Sequence, residues 1–314
     1  MNNRKKAGSK KHILVTGCPR SGTTFLGKIL SLPREVGYVR EPFNRDFGLA
    51  GLEHEFPYLY AGMEQETYYR SMIDAIFNGT ATFRKLPPSE ASRISQRIGR
   101  AIFGGGSNYS YIKAMTNPLV DRLLLKDPMI SLGSEYLHSE YDMDVVVILR
   151  KPLPNIASMR RVGMQHSIDK LIRQKELYEF YLKDVLDQKI RSDDSMLEQQ
   201  ILLWLTINTV LKHYIDRNPR FIVVKHHELA KSPIAETKRI YQKLGLEFTP
   251  RILAKIKDYT SPKNVSGVTT GKMHVLKRNS RAIADVWPGV FSGDEERLIH
   301  ERTHELVSEL FKGV

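Results

Sequence analysis

Two glycines separated by four residues, three hydroxyl side chains and an arginine fall within Gly17-Cys18-Pro19-Arg20-Ser21-Gly22-Thr23-Thr24. This spacing belongs to loops whose backbone N–H groups converge on a phosphate at the start of a helix. A loop made for a nucleoside triphosphate carries a lysine after its second glycine, reaching the β- and γ-phosphates. Here Thr23 stands in that place, and the positive charge sits three residues earlier at Arg20. The loop is therefore expected to hold a phosphate-like group without a triphosphate tail. Pro19, Arg20, Ser21, Gly22, Thr23, Thr24 and Phe25 are the residues around it. Arg150-Lys-Pro-Leu-Pro-Asn-Ile-Ala-Ser158 offers a second anion site, with an arginine after an apolar run and a hydroxyl early in the next helix. A nucleotide with phosphates at two ends is the economical ligand for both.

These residues need strands to place them. Short apolar runs at 13–15, 36–39, 123–125, 145–149 and 221–224 read as strands, the longest of them buried on both faces. Helical spacing resumes at Phe25, Leu26, Ile29 and Leu30 and stops at Pro33; a further helical patch covers 64–77. Residues 168–217 read as helical, with Leu203, Ile207, Val210, Leu211 and Tyr214 on one face and Trp204 in the core. A helix ends at Gly245, Thr249-Pro250 opens another, and Ser292 with Glu295 forms a capping box ahead of a stripe at Ile299, Thr303 and Leu306. Pro87-Pro88 marks a break and 103–108 a turn or linker. Strands alternating with helices give an α/β fold with one mostly parallel sheet between helical layers, in a single domain over 12–314. Ligands of such sheets bind beyond the carboxyl ends of the strands. Arg20, Glu41, Lys126 and Arg150 each follow a strand-like run and are expected to gather there. Pro42 and Pro128 are expected to hold Glu41 and Asp127 extended.

Gly17-Cys-Pro-Arg-Ser-Gly-Thr-Thr-Phe25 together with Leu149-Arg-Lys-Pro…Ser158 resembles the sulfotransferases that use 3′-phosphoadenosine 5′-phosphosulfate. The resemblance implies the P-loop-like fold of that family, with the first segment on the 5′-phosphosulfate and Arg150 and Ser158 on the 3′-phosphate. The basic run Lys263, Lys272, Lys277, Arg278 and Arg281 is similar to the late loop over the nucleotide, with Arg278 as its proposed contact. The cytosolic small-molecule branch takes its base from a histidine where this chain has Pro128. The carbohydrate branches place a glutamate after the second strand, as in Arg40-Glu41-Pro42-Phe43, which implies Glu41 as general base. Its alternative is an ion pair with Arg40 or Arg45. Arg20 takes the place of a leaving-group lysine, and Lys126 either touches the sulfuryl group or pairs with Asp127. The resemblance implies a carbohydrate or other hydroxyl-bearing acceptor and no nucleic-acid partner.

The balance of 48 Lys and Arg against 35 Asp and Glu in 314 residues, net +13, favours anionic partners. Residues 1–11 hold five of those cations without apolar periodicity and read as a disordered tail, open to a peripheral membrane contact. One cysteine, Cys18, excludes an internal disulfide and points to a reducing, cytoplasmic setting, where it fills space rather than attacks. No run approaches the roughly 20 apolar residues of a membrane span. The ten histidines show no metal-ligand spacing, so no metal is expected. Two other classes stay open at this point: a P-loop phosphotransferase, and a polyanion-binding protein without chemistry.

Overall fold

A computed structural model describes residues 10–86, 103–166, 168–186, 195–261, 264 and 287–312. The tail at 1–9, the Pro87-Pro88 break and the basic residues Lys263, Lys272, Lys277, Arg278 and Arg281 lie outside them. In chain order the elements are β1 (Ile13–Thr16), α1 (Thr23–Leu30), β2 (Val36–Arg40), α2 (Glu66–Asn78), α3 (Gly106–Met115), β3 (Arg122–Lys126), α4 (Ser134–Tyr141), β4 (Asp144–Leu149) and α5 (Pro152–Arg160). Then come α6 (Ile168–Ile172), α7 (Met196–Arg217), β5 (Ile222–Lys225), α8 (His226–Lys231), α9 (Pro233–Lys243), α10 (Pro250–Thr260) and α11 (Gly293–Leu310).

The strands form one sheet in the order β2-β3-β1-β4-β5, and every pair is parallel. Its centre is apolar on both faces because each is covered. Ile13 and Val15 join the core beneath α1 with Leu26 and Ile29, while Leu14 joins the opposite core with Ile156, Met159 and Trp204. The helices following β1 and β4 thus lie on opposite faces. That reversal opens a crevice between the carboxyl ends of these two adjacent strands.

Several local expectations are met by the expected physics. Thr249 accepts from the Ile252 N–H at the start of α10, and Ser292 and Glu295 cap α11 reciprocally. Others are corrected. Residues 103–108 are only partly a turn, since α3 begins at Gly106. The helical stretch from 168 is not one helix, with α6 followed by a short helical turn at Lys175–Leu177 and a wide helical turn at Tyr178–Leu182 before α7. β5 stops at Lys225, so the pair His226-His227 opens a helix instead of ending a strand. Among the described residues no helix is long and apolar enough to cross a membrane.

Candidate active site

The Gly17 loop leaves β1 at the crevice. Gly17 has φ +149° and Gly22 +106°, and a Cβ on Gly17 would lie 2.3 Å from the carbonyl oxygen of Ile148, so only glycine fits against β4. Arg20 also takes a left-handed backbone, φ 69°. α1 begins at Thr23, which leaves the first N–H groups of the helix directed at the loop's mouth. The Ser21 hydroxyl is buried without a hydrogen-bond partner among the described residues and lies 2.9 Å from where a Gly17 Cβ would stand. A cradle of this kind, with an inward hydroxyl and helix N–H groups, fits one phosphate-sized anion.

The second predicted anchor adjoins the first. Arg150 donates from its guanidinium to the Arg20 carbonyl at 2.9 Å, and Arg20 Nε donates to the Ser158 hydroxyl at 3.2 Å. Some 130 residues of separation in sequence thus close to hydrogen-bonding distance across β1 and β4. Asn155 was not singled out from the sequence, yet it is fully buried and donates to the Pro19 carbonyl at 3.2 Å, holding the loop from below. The Trp204 indole, in the core as expected, donates to the Arg150 carbonyl at 3.0 Å. His226 packs behind Gly22, where a Cβ would meet its ring at 3.0 Å. Burial, then Arg150 and His227, hold that imidazole well below its usual pKa, so it is neutral beside the loop. Cys18 is buried and its thiol is pushed up by that burial, which removes it as a nucleophile.

On the other side of β1, the register pairs Arg40 with Lys126, and the ladder continues one step as the Glu41 N–H donates to the Lys126 carbonyl at 2.8 Å. Glu41 is not extended as Pro42 would favour; its φ is +42°. That turn, one of the sparsely populated backbone states found at functional sites, brings the carboxylate onto the Lys126 ammonium, which donates to Glu41 Oε1. The Asn44 amide donates to Oε2 at 3.3 Å. Lys126 is 1% exposed and the carboxylate 11%. Burial lowers the lysine's pKa, and Glu41 opposes that shift.

Lys126 therefore pairs with Glu41 and not with its sequence neighbour Asp127. Asp127 has a structural post: its carboxylate accepts from the backbone N–H groups of Phe43 at 2.5 Å and Met129 at 2.8 Å. Burial and then the Glu41 charge push its pKa up to about 7 against those two donors. The chain after β2 is thereby pinned to the chain after β3. Of the tyrosines between the motifs, Tyr69 and Tyr111 are core, Tyr58, Tyr60 and Tyr68 are half-buried, and Tyr109 is exposed. Among the described residues no group of His, Cys, Asp and Glu is arranged to hold a metal.

Solved structures with similarity to this chain include the sulfotransferase domain from the curacin biosynthetic pathway, at 16% identity and a TM-score of 0.47 over 94% of this chain and 98% of that one. A mouse sulfotransferase complexed with PAP matches at 13% identity and a TM-score of 0.42, over 95% and 84%. Retinol dehydratase in complex with androsterone and the inactive cofactor PAP matches at 12% and 0.47, over 94% and 80%. Comparison with curated protein sequences gives no match. The model described as "Sulfotransferase family" matches residues 12–250, well over half of the sequence and every strand of the sheet. The chain belongs to the sulfotransferase family.

Proposed function

We propose that this protein moves the sulfuryl group of 3′-phosphoadenosine 5′-phosphosulfate to a hydroxyl of a carbohydrate or glycoconjugate, with Glu41 as general base. The observation that carries this reading is the buried Glu41–Lys126 pair, placed at strand ends next to the loop that fits a single phosphate. The Gly17 loop and the N–H groups of α1 hold the 5′-phosphosulfate, and Arg150 and Ser158 hold the 3′-phosphate. Sulfuryl transfer then needs one proton removed and one charge accommodated. The acceptor oxygen attacks sulfur in line while its proton passes to the Glu41 carboxylate. The bond from sulfur to the phosphate oxygen breaks, and that oxygen leaves with the electron pair as part of adenosine 3′,5′-bisphosphate. Arg20 supplies a forked cation to the leaving oxygen, and Lys126 bridges base and sulfuryl group. A general base acts in its ionised form, the form that an adjacent ammonium favours. We assign the protein to the cytoplasm, a reducing setting that suits the free Cys18 thiol.

The reading is tested by thermal shift and turnover together. Adenosine 3′,5′-bisphosphate at about 100 times its dissociation constant stabilises by about 2.7 kcal/mol, whereas ATP with magnesium is expected to do far less because Thr23 replaces the triphosphate lysine. Equal stabilisation by both would refute the cofactor assignment. Glu41→Gln should lower turnover by roughly 10²–10⁴ with bisphosphate affinity nearly intact. Undiminished sulfation by that variant would remove Glu41 from the mechanism. For Arg150→Ala the expected loss is in nucleotide affinity, about 10- to 100-fold for one charge-assisted anchor, read by isothermal titration.

A further inference from the structure

Beyond the candidate base, at the β2 edge of the sheet, three cations lie on neighbouring elements: Lys28 on α1, Arg40 at the end of β2 and Lys113 on α3. None of the three makes an ion pair with a carboxylate among the described residues. Lys28 Nζ lies 3.6 Å from the centroid of the Tyr38 ring, and the Arg40 guanidinium lies 5.1 Å from that of Phe47. These are aromatic supports that hold a cation in place while leaving its charge unneutralised. The Arg40 N–H donates to the Ser110 hydroxyl at 2.9 Å, tying β2 to α3, and a Cβ on Gly106 would stand 3.1 Å from an Arg40 nitrogen, so glycine leaves room for the guanidinium.

The charges feel one another. Lys28 is lowered to about 8 by burial, and then by repulsion from Lys126, Lys113 and Arg40. A concentration of like charge is unfavourable unless an anion completes it. The sheet order indicates whose anion that is. From β4 inward run the 3′-phosphate anchor, the 5′-phosphate loop after β1, Lys126 after β3 and Glu41 after β2. The donor nucleotide occupies the β4–β1 side, so the group beyond the base belongs to the acceptor.

We propose that Lys28, Arg40 and Lys113 form a subsite for a negatively charged substituent of the acceptor, a phosphate or carboxylate carried close to the hydroxyl that is sulfated. This rests on the sulfotransferase reading above. The test uses the full chain saturated with adenosine 3′,5′-bisphosphate and titrates three probes by calorimetry: glucose 6-phosphate, glucuronate and glucose. The anionic sugars should bind about tenfold tighter than glucose, phosphate ahead of carboxylate if a dianion is preferred and level with it if a single charge suffices. In Lys28→Met/Lys113→Met that preference should fall to within about twofold, while bisphosphate affinity and melting temperature stay near wild type. Lys238→Met, on the exposed face of α9, should change nothing. No preference for the anionic sugars, or one that survives the double variant, would overturn the proposal while leaving nucleotide binding, and so the parent reading, standing. Failure of the bisphosphate itself to bind would bring down both.

Discussion

Glu41 and Lys126 are worth more as a pair than either is alone. Both are taken out of water, and breaking such a pair by removing one partner strands a buried charge at a cost of about 3–5 kcal/mol. Lys126→Met is therefore expected to destabilise by about 3 kcal/mol, and Glu41→Gln/Lys126→Met to recover much of that loss because no charge is left unpaired. Urea unfolding of the two single variants and the double closes the cycle. A double variant as unstable as the two losses added together would show that the pair is not coupled. Activity is expected to be lost in every member. The identity of the partner was the part that could not be read from the sequence. Asp127 is Lys126's immediate neighbour, but successive strand residues point to opposite faces, so adjacency along a strand works against contact. The parallel register of Arg40 with Lys126 decides it, and register is a property of two strands far apart in the chain. Asn155 escaped notice for a related reason, since its use depends on where the Pro19 carbonyl ends up.

Elements were more legible than pairings wherever a strand or cap carried its own signal. Unbroken apolar runs marked all five strands because helices cover both faces of the sheet, and the caps at Thr249 and Ser292 use hydroxyls that compete for backbone N–H groups at a helix start. Glycine clusters misled: 103–108 looked like a linker, yet Gly106 opens α3 because Arg40 occupies the space a side chain would need. The fit between α1 and β3 gives a prediction of its own. A Cβ on Gly27 would lie 2.7 Å from Lys126 Cγ and 3.2 Å from the Tyr38 ring. Gly27→Ala is expected to push the lysine stem aside and cost about 1–3 kcal/mol of stability through overpacking. Turnover should fall with nucleotide affinity little changed, because the Gly17 loop and Arg150 are untouched. Steady-state kinetics beside a bisphosphate titration would separate the two, and a loss confined to nucleotide affinity would contradict the arrangement.

At the scale of the molecule, α11 lies beyond the residues matched to the family and is fastened to the helix that carries Ser158. Arg160 on α5 donates to both oxygens of Glu295, at 3.1 and 2.6 Å, and the same carboxylate accepts from the Ser292 N–H at 2.9 Å. Arg160, followed by that N–H, holds Glu295 down at about 2. A carboxyl group held below its unfolded value stabilises the fold above that value and loses its effect as pH falls toward 2. Glu295→Gln should accordingly cost on the order of 1 kcal/mol at neutral pH, a figure kept small by the partial exposure of both side chains. The variant should also be less sensitive to acid between about pH 4.5 and 2. Melting temperatures across that range would check the sign; a variant as acid-sensitive as wild type would exclude the ion pair as the cause. The burial of Cys18 has a practical consequence as well. It is the sole thiol in the sequence, 1% exposed and held protonated by its surroundings. A cysteine placed at an exposed apolar position such as Leu119 or Phe180 will therefore take a maleimide fluorophore or spin label alone. Distances within the working enzyme can then be followed without first removing a native reactive group.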